Sequence, residues 1–263
     1  MEKHTKRSLI NRVWFKILLA FLLFIPLYTQ KPYDYAETAD VISTVLSRPL
    51  VTAFAWVLPL AKLLFLAAAV LPFLTHRGQD TARPVLGYYA FILLVVGLFQ
   101  NMGVTDDNGF VWIVGNTLVI LIVAVFCLID LIGGKTRIYH ENLNRGRLWV
   151  ILPMALAFLM PYAINPEGQI RPSFTAVVLT NEAGVTYCMI TPVILGVLLL
   201  FQKEVHLPTI SVISFVGFLF GLLNMAIWFG MQPESWWMGV LHLPLVVLSF
   251  FGLVQSRKTG HSE

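Results

Sequence analysis

The chain has 263 residues, of which 57% are hydrophobic and only 12% are charged. Soluble domains average about 45–50% apolar and about 25% charged residues. Together with a mean hydropathy of +0.77, these values exclude a soluble enzyme, a disordered segment, a coiled coil and a disulfide-stapled secreted module. The apolar runs are continuous and too long for barrel strands, so the sequence predicts an all-α integral membrane protein.

The apolar runs define the predicted spans. A bilayer core about 30 Å thick needs about 20 apolar residues in helical form. The sequence contains eight candidates, and they cover residues 9–28, 50–74, 85–102, 110–132, 148–164, 185–201, 210–229 and 236–254. A basic segment leads into the first run without a small-residue cleavage pattern. We therefore interpret the first run as an uncleaved span rather than a signal peptide.

The basic residues predict the orientation of these spans. An even number of spans puts both termini on one side, which we place in the cytoplasm. The segments on that side, together with Arg12 at the start of the first run, then carry thirteen Lys and Arg residues, against three in the outer segments. This separation follows the positive-inside rule. It predicts a multi-pass protein of the cell (inner) membrane with cytoplasmic N- and C-termini. The net charge of +4 is thus a feature of membrane orientation and does not indicate a nucleic-acid partner.

Landmarks recur in the same order in the two halves of the chain. Each half has a basic residue before a tryptophan, a proline ending its first span, a proline within its second span and an Asn-Met pair ending its third. The pairs are Arg12-Val13-Trp14 and Arg147-Leu148-Trp149, Pro26 and Pro161, Pro59 and Pro192, and Asn101-Met102 and Asn224-Met225. We interpret this as two tandem four-helix repeats in parallel orientation, residues 1–134 and 135–263. Chance similarity between leucine-rich helices is the alternative.

The layout of each half resembles the membrane unit of paraquat-inducible protein A relatives. That unit is also duplicated, and it carries an outer loop followed by a span with a proline and then a lysine. Pro59 and Lys62 match this order in the first half, whereas Leu195 stands near the corresponding place in the second. The cysteine pairs of that family are missing here. The resemblance therefore implies a layout and no activity.

The two long outer loops, 29–49 and 165–184, are the main polar portions of the chain. Residues 38–46 predict a short amphipathic helix lying on the membrane surface. Residues 171–180 are rich in β-branched side chains and predict either a short strand or a re-entrant piece.

Polar side chains inside spans are costly, so they are the candidates for a functional site. Lys62 lies near the middle of the second predicted span; it either contacts an ion or an anionic substrate, or has a structural partner. Asn101, Asn116, Asn224 and His242 fall in the outer half of the membrane, where they could converge in each repeat. They form either interhelical hydrogen bonds or a polar pocket open to the outside. Asp130 is expected to face headgroups or basic loops.

Catalytic, nucleotide-binding and metal-binding motifs are missing from the sequence, and we expect no enzymatic activity, no cofactor and no metal site. Cys127 and Cys188 lack a C-x-x-C partner and predict small buried residues. We expect a permease or a transport-associated membrane subunit in the lipid bilayer. The alternative is a non-catalytic partner, scaffold or sensor that assembles with another membrane or envelope protein.

Overall fold

The computed structural model describes residues 9–54, 56–164 and 170–258, and 74% of it is helical. The predicted cytoplasmic termini lie mostly outside these ranges. The α-helices are α1 Val13–Leu22, α2 Thr38–Ser47, α3 Val57–Leu74, α4 Ala82–Phe99, α5 Val114–Gly133, α6 Ile151–Leu159, α7 Tyr187–Leu200, α8 Leu207–Met225 and α9 Trp236–Lys258. The short strands are β1 Tyr28–Thr29, β2 Met102–Thr105, β3 Gly109–Trp112, β4 Tyr162–Ile164 and β5 Ile170–Pro172.

Five helices within the described ranges are long and apolar enough to cross a membrane. They are Val57–Leu74, Ala82–Phe99, Val114–Gly133, Leu207–Met231 and Pro233–Arg257. A sixth crossing results if Ala176–Val185 and Tyr187–Leu200, which meet at 88°, count as one broken span. Helices α1 and α6 have ten and nine residues, well short of a bilayer core. The membrane class of the chain is therefore confirmed, while eight spans remain a prediction.

Successive helices run in alternating directions, because their connections gather at two ends. At the end we call the basic end, formed by the turns 75–81, 134–150 and 201–206, the Arg137 N–H donates to the Glu204 carbonyl at 2.9 Å. At the opposite cap end, β1, β3 and β2 form an antiparallel sheet in that order. The Tyr187 N–H at the start of α7 donates to Gln100 Oε1, just after α4, at 2.9 Å.

Helix α2 covers the sheet at the cap end. Val41 and Val45, one turn apart, are buried in a small cluster with Val111 and Ile113. The predicted helix over 38–46 is confirmed, and its apolar face packs on protein. Its location on a membrane surface remains a prediction.

The hairpin β2–β3 corrects the predicted spans 85–102 and 110–132. Helix α4 ends at Phe99 and α5 begins at Val114, so β2 and β3 occupy the intervening span ends. The turn contains Asn108-Gly109, a strong hairpin signal. Gly109 has φ 66°, a conformation that favours glycine. A prediction based on hydropathy left the turn between two spans but missed the strands, because the residues of β3 are as apolar as a helix end.

Within the loop 165–184 the structure describes residues from 170 onward, and the predicted segment 171–180 begins as a strand. Strand β5 pairs antiparallel with β4, and two 3-10 turns, Ala176–Leu179 and Glu182–Val185, follow. The second turn leads into the 88° bend before α7. A short strand is therefore confirmed, and the bend is the geometry expected of a broken or re-entrant span.

The prolines of the two halves are only partly equivalent. Pro59 was expected in mid-helix, yet it is the third residue of α3, where a missing N–H costs no helical hydrogen bond. Pro192 lies inside α7. The difference arises because the apolar residues from 50 to 52 form a 3-10 turn instead of α-helix. Pro26 and Pro161 do match: each follows a short helix and precedes a short strand.

Helix α7 is the centre of the molecule. All its residues except Cys188 are buried, and it contacts α3, α4, α6, α8 and α9. Fourteen helical residues measure about 21 Å, so α7 alone is shorter than a bilayer core. Because α7 is surrounded by these five helices, its polar side chains lie inside the bundle.

Helices α8 and α9 pack closely because glycines of α8 face α9. A Cβ atom at Gly221 would lie 2.8 Å from Val246 Cγ2 and 3.3 Å from the Val246 backbone. Such small residues let membrane helices approach.

Gly221→Ala is expected to lower the free energy of unfolding by about 1–3 kcal/mol, the usual cost of overpacking. Thermal unfolding in mild detergent, followed by tryptophan fluorescence, measures it. The matched control is Gly87→Ala on α4, whose Cβ would meet only Leu131 Cδ2 at 3.9 Å. Equal stability of the two variants would contradict the close packing of α8 on α9.

Candidate functional site

Lys62 lies in the second turn of α3, not at mid-span, and is 2% exposed. Its ammonium donates hydrogen bonds to the Phe158 carbonyl and to Asn181 Oδ1 at 2.7 Å. The ammonium also lies 4.4 Å from the centroid of the Phe158 ring. Lys62 therefore has fixed partners within the protein, and these are carbonyl, amide and aromatic groups.

These partners belong to the C-terminal end of α6. The Asn181 side-chain amide donates to the carbonyls of Leu159 at 2.8 Å and Met160 at 2.9 Å. The last carbonyls of a helix have no partner within it, and a cation is stabilising there. Lys62 and Asn181 together cap α6, although α3, α6 and the loop before α7 are far apart in sequence. Of the two roles expected for Lys62, this arrangement fits a structural partner rather than contact with an ion or an anionic substrate.

Asn101 and Asn116 lie next to the hairpin at the cap end. Asn101 is 2% exposed, and its amide donates to the Gly97 carbonyl at 3.1 Å. Its own carbonyl accepts from the Ile113 N–H at 2.8 Å. Asn116, in the first turn of α5, is half-buried. The hydrogen bonds of the described residues do not join the two side chains, and Asn101 holds the strand connection in place.

Asn224 and His242 do come together, through a residue that the sequence analysis missed. The Trp228 indole N–H donates to Asn224 Oδ1 at 3.2 Å. The Trp228 ring lies 6.2 Å from that of His242, centroid to centroid. His242 Nδ1 donates to the Met238 carbonyl at 2.8 Å. Trp228 stands one turn after Asn224, and that spacing on one helix face was the available signal.

This cluster continues into the bundle along α7. The Asn224 amide donates to Cys188 Sγ at 3.6 Å. One turn further along α7, the Thr191 hydroxyl bonds the Tyr89 hydroxyl of α4 at 3.1 Å. We call this set the polar file. Its members, from α4 to α9, are Tyr89, Thr191, Cys188, Asn224, Trp228 and His242.

A second polar group, absent from the sequence-based site, surrounds Asp130 at the basic end. The carboxylate was expected to face headgroups or basic loops; Asp130 is 1% exposed and faces Thr136 of the basic-end turn 134–150. Its Oδ1 accepts from the Thr136 N–H at 2.8 Å. Its Oδ2 accepts from the hydroxyls of Thr136 and Thr209, each at 2.6 Å. Three donors keep the carboxylate in the protein, because they replace the water it would otherwise need.

The directions of these hydrogen bonds also fix the role of His206. Since the Thr209 hydroxyl donates to Asp130, it must accept from His206 Nδ1, which lies 3.0 Å away. The Thr136 hydroxyl likewise accepts from the His206 backbone N–H at 3.0 Å. His206 Nδ1 is 3.8 Å from Asp130 Oδ2. We call Asp130, Thr136, His206 and Thr209 the basic-end cluster; it joins α5 to the start of α8.

Asp80 lies beside this cluster, at the start of α4. It forms an ion pair with Arg137 at 2.7 Å and accepts the backbone N–H groups of Ile138 and Ala82. Burial alone would raise the pKa of Asp80, but these hydrogen bonds, led by that of Arg137, lower it overall. A shallow groove separates α4 from the turn after α5 and holds no water-sized space. Its lining is Ala82, Arg83, Leu86, Asp130, Leu131, Gly134, Thr136 and Arg137.

The long apolar helices define the class of the chain as a helical membrane protein with polar groups buried along its central helix. No protein-family model, curated protein or solved structure matches it. A function must therefore be argued from the buried polar groups themselves.

Proposed function

We propose that this chain is a permease or the membrane subunit of a transporter. The observation that carries the proposal is the polar file, which runs along a short central helix between α4 and α8. Polar side chains buried between membrane helices are costly and mark substrate or ion paths; those that α7 and α8 contribute to the polar file lie in the half of the bundle toward the cap end. A helix preceded by a sharp bend and containing Pro192 adds support, because transporters form their sites from discontinuous helices.

We further propose that the bundle consists of two parallel four-helix units, 1–134 and 135–263, with cytoplasmic termini in an inner membrane. The order of elements supports this division. In each half a short helix ends before a proline, a strand follows, and the three longest helices of that half come last; in the first half the short helix α2 precedes them. The closest packing in each half is between its last two helices, α4 with α5 and α8 with α9. The hairpin β2–β3 has no counterpart between α8 and α9, where a π-helical segment Ala226–Met231 stands instead.

The two native cysteines provide a test. Cys188 is half-buried in the polar file, whereas Cys127 is fully buried. Cys127→Ser leaves Cys188 as the target of a positively charged methanethiosulfonate reagent, and Cys188→Ser is the matched control. Uptake of glycerol, glycine or acetate into proteoliposomes is measured by stopped-flow light scattering. We expect the reagent to slow uptake by at least about tenfold in Cys127→Ser, equivalent to ~1.4 kcal/mol of barrier, and to leave Cys188→Ser unchanged.

Uptake that is insensitive to the reagent in both variants would contradict a path along α7. The alternative function, a non-catalytic partner in an envelope complex, is favoured by the internal hydrogen bonds of Lys62 and Asn224. In that case, no solute enters the proteoliposomes. Co-purification with a partner in mild detergent would then persist in Cys188→Ser and fail when residues of α2 at the cap end are changed.

A further inference from the structure

The basic-end cluster gives this membrane protein a buried carboxylate that connects its two halves. Asp130 belongs to α5 in the first half, whereas His206 and Thr209 begin α8 in the second. We propose that Asp130 and His206 form a proton-binding pair at the basic end of the bundle. His206 takes up the proton at Nε2, because its Nδ1 already carries the hydrogen donated to Thr209.

The pair is placed between water and the bundle interior. The side chain of His206 is 27% exposed, whereas that of Asp130 is 1% exposed. A proton can therefore reach the imidazole from solution while the carboxylate stays shielded. Charge on the imidazole acts on the carboxylate at 3.8 Å, where Coulomb energies are strong at reduced dielectric.

The other charged groups around the cluster have partners or oppose the proton. On the α4 side, Asp80 is paired with Arg137, and Arg83 lines the groove. From the turn before α8, Glu204 accepts a hydrogen bond from Asn142 at 3.0 Å. Along α5, one turn before Asp130, stands the buried thiol of Cys127.

These neighbours determine when His206 is charged. Burial lowers the pKa of His206, the charge of Lys135 lowers it further, and Asp130 opposes both. The imidazole is thus neutral in neutral solution and becomes charged as the pH falls. The charged form creates an ion pair between Asp130 on α5 and His206 at the start of α8. Loss of the proton leaves the two residues joined by the Thr209 hydroxyl, which donates to the carboxylate and accepts from the neutral imidazole.

Histidine-selective ¹⁵N NMR of the full chain in lipid nanodiscs measures the pair directly. The His206 resonance is assigned by its loss in His206→Gln. In Asp130→Asn the His206 titration midpoint should fall by about one pH unit, a tenfold loss of proton affinity. The matched control, Glu204→Gln, removes an equal charge at the same end and should leave the midpoint unchanged. An Asp130→Asn midpoint equal to or above that of the wild type would overturn the pair.

A measurement on the unmodified chain covers the case in which Asp130→Asn does not fold. The ¹³Cγ resonance of Asp130 should move with the same midpoint as the His206 ring nitrogens. An Asp130 ¹³Cγ resonance that does not move as His206 titrates would also overturn the proposal.

We expect the pair to couple proton movement to solute movement; this part of the inference rests on the proposed function. Proteoliposomes containing the dye pyranine report proton uptake during solute uptake. We expect both in the wild type, and solute uptake without proton uptake in Asp130→Asn. Unchanged proton uptake in Asp130→Asn would disprove the coupling. Absence of solute uptake in the wild type would instead count against the permease, and the NMR titration would still decide the pair.

Discussion

Lys62→Met is expected to lower the free energy of unfolding by about 2–5 kcal/mol. Methionine keeps nearly the same length but cannot donate, so the Phe158 carbonyl and Asn181 Oδ1 lose a buried partner. Asn181 Oδ1 still accepts from the Ala183 N–H at 3.2 Å, so the Phe158 carbonyl is the acceptor left unsatisfied, which costs about 1–3 kcal/mol. Loss of the buried contact between the ammonium and the Phe158 ring adds about 2 kcal/mol. The effect should appear as an early loss of α6 structure, because Lys62 stabilises the C-terminal carbonyls of a helix with only nine residues.

Lys16→Met is the matched control, since Lys16 is the other lysine within an apolar run. Its ammonium lies 5.6 Å from the Phe215 ring centroid, and it is half-buried. Such a contact is worth about 0.5–1 kcal/mol when exposed. Thermal unfolding in detergent compares the two variants. Equal destabilisation by both would show that Lys62 does not cap α6.

A double-mutant cycle separates the structural role of Lys62 from a role in transport. Lys62→Met and Asn181→Leu both remove groups that cap α6. The double variant should therefore lose less stability than the sum of the two single variants. If Lys62 instead binds a solute or an ion, Lys62→Met would abolish uptake with unchanged stability, and the cycle would be additive.

The position of Lys62 also illustrates how far the sequence could predict this structure. Hydropathy identified the apolar run 50–74 correctly, and helical character holds for most of it. It could not show that the first residues form a 3-10 turn, so the helix begins at Val57 and Lys62 moves from mid-span to the second turn. Its partners follow it by 96 and 119 positions, a separation that local patterns do not encode.

The burial of Asp130 also depends on partners that its local sequence does not reveal. A carboxylate near the end of an apolar run is most simply assigned to the headgroups or to the neighbouring basic loops. Burial became favourable only because Thr136 and Thr209 supply hydroxyls from a turn and from another helix. Within the candidate site, Asn224 and His242 could be paired from topology, since they stand at facing ends of adjacent spans. Trp228 between them lies within the predicted span 210–229, one turn after Asn224, and the helix reaches it through the π-helical segment.

Gly184→Ala is expected to have a destabilising effect of about 3 kcal/mol, at the upper end of overpacking. A Cβ atom at Gly184 would lie 2.8 Å from both the Ala61 carbonyl carbon and the Lys62 nitrogen. These are backbone atoms of α3, so no change of rotamer can relieve the contact. The turn Glu182–Val185 would have to move away from α3 and would carry the start of α7 with it.

The comparison with Gly230→Ala decides whether the close contact of Gly184 with the backbone of α3 holds α7 in place. A Cβ atom at Gly230 would meet nothing within 4 Å, so that variant should unfold at nearly the wild-type temperature. Gly184→Ala should unfold earlier, and its Cys188 should react faster with a charged thiol reagent, because displacement of α7 opens the polar file. A Gly184→Ala protein as stable and as unreactive as Gly230→Ala would mean that α7 is held without the bend. The path proposed along α7 would then lose its discontinuous-helix argument and depend on the buried polar groups alone.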